Sequence, residues 1–344
     1  MKTYVVTGGS GFIGSHICEQ LIKKGNRVIN IDSFTSFYDY KIKIKNVLES
    51  TQMDVNFEFL NKTEDLNRLV KIVDQPNYRL CLVDIRDYGN LGTVFQEETI
   101  DCVIHLAGYA GVRPSLEDPK IYIDVNIQGT LTLLELMKEY NVKKLIFASS
   151  SSVYGNNKTV PFSENDNVDF AISPYAATKK SGEVICHTYH HLYGIDMMLL
   201  RFFTVYGERQ RPDLAIHKFT KFIDEGKPIP FYGDGQSERD YTYIGDIIDG
   251  MEKSLLYLEE HSHVYEIINL GESTTITLKQ MVFTIENILG KKATLEKLPT
   301  QPGDVQKTYA DISKAKRLIS YKPNTNFEDG IKQFIKWYRR DKYD

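Results

Sequence analysis

The chain has 344 residues, 42% hydrophobic and 26% charged, with a formal net charge of −4. That balance excludes a strongly basic nucleic-acid or membrane surface, and no apolar run is long enough to span a bilayer. The length exceeds what one core usually covers, so the expectation is two domains, or one large α/β domain with an appended lobe. The cysteines Cys18, Cys81, Cys102 and Cys186 stand apart, with no CxxC pair. They read as small buried hydrophobes in a reducing compartment. With no signal-peptide layout at the start, a cytoplasmic protein is expected.

Residues 2–7 read as a buried strand, followed by Gly8-Gly9-Ser10-Gly11-Phe12-Ile13-Gly14 and a helical pattern to about Lys24. Strand, glycine turn and helix together are the context in which such a motif cradles a pyrophosphate. The glycines let backbone come close, and the helix presents its positive end. The glycine spacing differs from the common G-x-G-x-x-G. Residues 27–31 form the second strand. Asp32 stands at its end, where an acid accepts both ribose hydroxyls of an adenosine and repels a 2′-phosphate; this favours NAD over NADP. Residues 33–78 are a polar excursion with a helix near 40–48, and no chemistry is assigned to them.

The alternation resumes with a strand at 78–83 that ends in Asp84-Ile85. The Asp84 carboxylate is placed either to reach an adenine amine or to cap the next helix. A strand at 101–106 ends in Ala107-Gly108, small residues where backbone must approach a cofactor. A long helix is expected over 119–140. Asn126 lies inside its apolar pattern, as a satisfied core amide or as part of an active-site network. A fifth strand over 143–148 runs into Ser149-Ser150-Ser151-Ser152, placing hydroxyls at the ligand crevice of a doubly wound sheet.

Ser173-Pro174-Tyr175-Ala176-Ala177-Thr178-Lys179 opens the next helix, with Ser173 as cap and Pro174 at the first helical position. Tyr175 and Lys179 lie one turn apart on one face. An ammonium beside a phenol lowers the phenol's pKa, so the pair reads either as a general base for a sugar alcohol or as a helix that happens to carry Tyr and Lys at this spacing. After a strand at 199–203 come Arg209 and Arg211. With Arg113 they are candidates for a bidentate carboxylate or phosphate contact, Arg209 reading more simply as solvated. Thr204, Ser151 and Ser152 offer hydroxyls to the same anion. Residues 230–235 read as a short strand and turn, and Arg239-Asp240-Tyr241 as a ligand contact or a buried ion-pair corner. His187 and His191 have metal-ligand spacing but no third ligand nearby, so no metal is expected. The helix at 328–340 is amphipathic around Phe334 and Trp337 and is expected to pack.

These residues resemble the extended short-chain dehydrogenase/reductases, and among them the nucleotide-sugar epimerases. The likeness is carried by Gly8–Gly14, Asp32, His105-Leu106-Ala107-Gly108, Asn126, Ser150, Tyr175 and Lys179. Gly111-Val112-Arg113-Pro114-Ser115, residues 201–212 and Gln301-Pro302-Gly303-Asp304-Val305 are similar to the branch that acts on UDP-glucuronate at sugar carbon 4. Two departures stand out: Glu208, where relatives usually carry Pro, and the long excursion at 33–78.

The resemblance implies an α/β fold, a Rossmann-like doubly wound parallel sheet over about 1–181 that later segments are free to rejoin, with a smaller α/β substrate lobe mainly over 182–344. It implies NAD held by Gly8, Gly11, Phe12, Ile13, Gly14, Asp32, Asp84, Ile85, Leu106, Ala107, Gly108, Asn126, Tyr175, Lys179 and Phe202. Tyr175 would be the base, Lys179 would lower its pKa and hold the nicotinamide ribose, and Ser150 would bond the reacting hydroxyl. A UDP-sugar would meet Arg113, Ser150, Ser151, Ser152, Tyr175, Thr204, Arg211, Phe231, Arg239 and Asp304. A homodimer through the helices near 119–140 and 175–193 is implied as well. The expected reaction is 4-epimerisation of UDP-glucuronate to UDP-galacturonate. The rivals are a 4-epimerase of UDP-glucose or UDP-N-acetylglucosamine and a non-catalytic NAD-binding regulator. A regulator typically lacks the tyrosine or the lysine, and both are present.

Overall fold

The computed structural model describes residues 1–54, 65–299 and 305–343. The chain begins with β1 (Thr3–Thr7), α1 (Phe12–Lys23), β2 (Arg27–Ile31), α2 (Tyr40–Ser50), α3 (Leu66–Val73) and β3 (Tyr78–Cys81). Next come α4 (Tyr88–Glu97), β4 (Cys102–His105), α5 (Val112–Glu117) and α6 (Pro119–Ile123). A π-helical turn at Asp124–Gln128 joins α6 to α7 (Gly129–Glu139), so the long helix expected there is interrupted. Then follow β5 (Lys144–Ser150), a 3-10 turn (Ser151–Tyr154), α8 (Pro174–Tyr193), β6 (Asp196–Phe202) and β7 (Thr204–Tyr206). The rest runs α9 (Ala215–Asp224), β8 (Ile229–Tyr232), β9 (Glu238–Arg239), β10 (Tyr241–Tyr243), α10 (Ile244–Glu260) and β11 (Tyr265–Leu270). It ends with β12 (Ile276–Thr277), α11 (Leu278–Leu289), β13 (Leu295–Leu298), α12 (Ser313–Ile319) and α13 (Phe327–Tyr343).

Seven strands form one parallel sheet in the order β11-β6-β5-β4-β1-β2-β3. The order reverses between β1 and β4, so the loops leaving their carboxyl ends diverge and open a crevice. Successive residues of β1 serve opposite layers, as the pleat requires. Val6 belongs to the same buried cluster as Ile17, Val47 and Ile104, and Val5 to that of Ile29, Leu133 and Phe147. The boundary expected at 181/182 falls inside α8, and β6 and β11 return to the main sheet. The smaller lobe is built on three two-stranded sheets, β7–β10, β8–β13 and β9–β12.

Helix α8 starts where local chemistry dictates. Pro174 is at its first turn, the Ser173 hydroxyl accepts the Ala176 amide at 3.1 Å, and Gly194 in the left-handed region closes the far end. The core face of α13, with Ile331, Phe334 and Ile335, is buried as its pattern requires. Among the described residues no helix is long and apolar enough to cross a membrane. Among the same residues no cluster of three or more His, Cys, Asp or Glu could hold a metal ion.

Candidate active site

Gly8 turns the chain from β1 into α1 with φ of 70°. A Cβ on Gly8 would lie 2.8 Å from the Ala107 nitrogen, and one on Gly14 2.1 Å from the Gly8 oxygen. The end of β4 and the first turn of α1 are therefore pressed onto the loop backbone. No side chain caps α1, so its leading amides are free for an anion in the crevice. At the end of β2, Asp32 Oδ1 accepts from the Phe34 amide at 2.9 Å and from Lys43 Nζ at 2.8 Å; Oδ2 accepts from the Ser10 amide at 3.3 Å.

The strand end at Ala107 is held by a directional chain of hydrogen bonds. The Ala107 amide donates to Thr7 Oγ1 at 3.2 Å, and Thr7 Oγ1 lies 2.7 Å from His105 Nδ1. His105 Nε2 lies 3.0 Å from Thr130 Oγ1, which donates to the Asn126 carbonyl at 2.6 Å. Because Thr130 spends its proton on Asn126, His105 carries its own on Nε2 and accepts at Nδ1. Burial, helped by the Lys179 charge, pushes His105 down to about 3, so the ring stays neutral.

Tyr175 lines the crevice together with Ser150. Burial holds the phenol above its ordinary pKa, while the Ser150 hydroxyl and the Arg211 charge pull it back. The acidifying charge expected from Lys179 is not what acts on the phenol here. Lys179 Nζ donates to the Ala148 carbonyl at 2.9 Å, over the Phe147 ring, and burial pushes it down to about 8. One-turn spacing brings the two side chains to one face, but the carbonyl at the end of β5 captures the ammonium. Ser150 in turn accepts from the Ser152 amide at 3.1 Å and lies 3.1 Å from the Ser152 hydroxyl.

Behind this face lies a buried ion pair. Arg201 on β6 holds Glu183 on α8 with two bonds of 2.8 and 2.9 Å, and Ser149 donates to the same carboxylate at 2.7 Å. The third arm of Arg201 donates to Tyr154 Oη at 3.0 Å. The pair thus ties the helix carrying Tyr175 to the two strands that supply Ser150 and Phe202.

One crevice of about 660 Å³ runs from the glycine turn to Arg239. It brings together Gly8, Gly11, Phe12, Ile13, Gly14, Asp32, Asp84, Ile85, Leu106, Ala107, Gly108, Lys179 and Phe202 along one stretch. Arg113, Ser150, Ser151, Ser152, Tyr175, Thr204, Arg211 and Arg239 line the other. Arg211 is bidentate to Asp213, at 3.0 and 2.7 Å, and lies 4.7 Å from the centre of the Phe37 ring. Arg113 lies over Tyr232 at 4.9 Å.

Several residues sit elsewhere than expected. Phe231 turns away from the crevice, and its neighbours Pro230 and Tyr232 line it instead. The two-residue period of β8 sends Phe231 inward, where its ring fills the space a Gly235 side chain would occupy. Asn126 does not line the crevice: its amide bonds both backbone groups of Tyr109 and the Thr178 hydroxyl, so it is a satisfied core amide. Asp84 pairs with Arg86, and the cap of α4 comes from Asp87. Arg209 is buried between Glu19 and Glu49, not solvated. Glu208 accepts from Tyr243 Oη at 2.9 Å and lines a separate cleft, away from the anion-binding wall. Asp240 pairs with no arginine; the amides of Glu272, Ser273 and Ala310 satisfy it. Asp304 lies outside the described residues.

The excursion after β2 contributes more than its composition suggests. Phe37, Tyr38 and Lys43 all line the crevice. An aromatic run followed by a lysine on the first turn of a helix is the one signal that pointed there. Asp213 is another crevice residue the sequence reading passed over.

The model of the NAD dependent epimerase/dehydratase family matches residues 4–271. The chain belongs to that family. It is 44% identical over 342 residues to a UDP-glucuronate 4-epimerase from Thermodesulfobacterium geofontis, covering 99% of this chain and 97% of that protein. The solved UDP-glucuronic acid 4-epimerase from Bacillus cereus, in complex with UDP-glucuronic acid and NAD, matches with a TM-score of 0.86 at 35% identity. That match covers 98% of this chain and 99% of the other. A UDP-glucose 4-epimerase from Thermotoga maritima, solved with UDP-glucose, matches at 0.82 and 31% identity over 98% and 99% of the two chains. The protein is thus an NAD-dependent nucleotide-sugar epimerase of this family. Its residues fit that cofactor: backbone crowds the glycine turn where any side chain would intrude, the α1 amides are uncapped, and Asp32 presents acceptors.

Proposed function

We propose that the chain interconverts UDP-glucuronate and UDP-galacturonate at sugar carbon 4. The observation that carries this is Arg211, a guanidinium on the crevice wall whose charge reaches the Tyr175 phenol, with Thr204, Ser151 and Ser152 lining the same wall. An arginine fork matches a carboxylate in a way a neutral hydroxymethyl group does not use.

In this reading Tyr175 takes the proton of the carbon 4 hydroxyl, and Ser150 bonds the same oxygen. NAD, held along Gly8–Gly14, Asp32 and Lys179, supplies when bound the acceptor for the carbon 4 hydride. The transient 4-keto sugar turns over in the crevice and is reduced on its other face. That ketone is a β-keto acid, which loses carbon dioxide when the carboxylate bond lines up with the carbonyl π system. Thr204, Ser151, Ser152 and Arg211 hold the carboxylate out of that alignment. Thr204→Val therefore raises the share of decarboxylated pentose, read by separating the products; slower turnover with an unchanged product mixture would count against this role.

Arg113 and Arg239 serve the diphosphate end, and Asp304 the uridine ribose. We also infer a homodimer, supported by the apolar side chains of Ile123 on α6 and Val184 and Leu192 on α8, all exposed. The test of function is direct. Purified protein is incubated with UDP-glucuronate or with UDP-glucose, and the sugar nucleotides are separated. Formation of UDP-galacturonate is the expected result. Turnover of UDP-glucose alone would replace this reading with that of a neutral-hexose epimerase.

A further inference from the structure

Arg211 does not face the crevice as an unshielded cation. Its side chain is only 13% exposed, with the guanidinium carbon 4.7 Å from the centre of the Phe37 ring and 5.8 Å from that of Tyr38. A charge held there without a partner is costly, because aromatic faces replace only part of its hydration. Asp213, two residues on, is that partner: Oδ1 accepts from Nε at 3.0 Å and Oδ2 from Nη2 at 2.7 Å. The two members differ in freedom. The Asp213 side chain is 49% exposed and sits on the turn before α9, so it can swing into water at little cost, whereas Arg211 is packed in place.

The bond pattern is that of a planar carboxylate on a guanidinium fork, which is also how a sugar carboxylate would be bound. Both residues line the crevice that holds Tyr175 and Thr204. We propose that Asp213 is a resident stand-in for the substrate's carboxylate, occupying Arg211 in the free enzyme and yielding the fork to the uronate. This rests on the uronate reading above. It makes Asp213 a specificity-determining residue. A sugar carboxylate replaces one anion by another and leaves Arg211 paired. A neutral hydroxymethyl group cannot, so Asp213 stays and narrows the sugar end of the crevice.

The exchange leaves a signature in binding. Asp213 opposes the incoming anion twice, by holding its donors and by like charge at short range. Asp213→Asn keeps the shape and removes the charge, and is expected to tighten UDP-glucuronate binding about tenfold. UDP-glucose binding is expected to stay within about twofold, since no anion enters the sugar end. Asp213→Glu keeps the charge and is expected to leave the ratio of uronate to neutral affinity near the wild-type ratio, whatever it does to the two affinities together. The experiment titrates UDP-glucuronate and UDP-glucose calorimetrically into wild type and both variants, each with the cofactor it purifies with.

A rise in the ratio of uronate to neutral affinity in Asp213→Asn, absent in Asp213→Glu, supports the proposal. An unchanged ratio, or weaker binding of both ligands, shows Asp213 to be a support for Arg211 and overturns it. Wild-type turnover of UDP-glucuronate is scored separately. If it is absent the uronate reading fails; if it is present with an unchanged ratio, only the role of Asp213 does.

Discussion

Removing Glu183 is the sharpest test of how the catalytic helix is held. Both members of the Glu183–Arg201 pair are 1% exposed, so neither charge has water to fall back on. Glu183→Leu strips two bonds from Arg201 and one from Ser149, and leaves a guanidinium buried with only the Tyr154 phenol. Breaking a buried pair from one side costs about 3–5 kcal/mol, most of it the price of the orphaned charge. At about 2–4 °C per kcal/mol, or somewhat less for a chain of this length, the melting midpoint should fall by roughly 5–15 °C. The double variant Glu183→Leu/Arg201→Met removes both charges and should recover more than half of that loss. Thermal unfolding followed by circular dichroism, at one pH and one protein concentration, measures all three proteins. If Glu183→Leu melts with wild type, or the double variant is worse than the single one, the charge argument is wrong.

Three further outcomes follow from the site and the core. Tyr175→Phe should slow turnover by about 10²–10⁴-fold while sugar-nucleotide binding persists; wild-type turnover in that variant would remove the phenol from the mechanism. Gly14→Ala drives a methyl against the Gly8 carbonyl, so the protein should purify with little bound NAD, read from its absorbance after denaturation; a full complement of nucleotide would refute the cradle. Glu272 is pushed up to about 8 by burial and then by the charges of Asp246 and Asp240, and its Oε2 has no partner. A carboxyl raised above its unfolded pKa holds its proton in the native state, and stability is lost as pH rises through about 8. Glu272→Gln should therefore match wild type near pH 4 and exceed it by about 2 kcal/mol at pH 9 in denaturant unfolding; a gap that does not grow with pH would show the carboxyl to be solvated.

What the sequence determined by itself was local. The glycine turn between a buried strand and a helix, Ser173 and Pro174 at a helix start, and Tyr175 one turn from Lys179 are relations between near neighbours. Backbone geometry imposes them wherever the chain goes. Six strands of the main sheet were legible for the same reason, since they carry their burial in their own composition, whereas β11 was passed over and the parallel arrangement came from the resemblance. Tertiary structure decided where side chains end. Arg209 and Arg211 are two residues apart, yet one is walled in between Glu19 and Glu49 while the other reaches the crevice. Lys179 spends its ammonium on the Ala148 carbonyl, and Lys43 crosses from α2 to meet Asp32. Such destinations depend on partners far along the chain, competing for the same charge in a space that only packing defines.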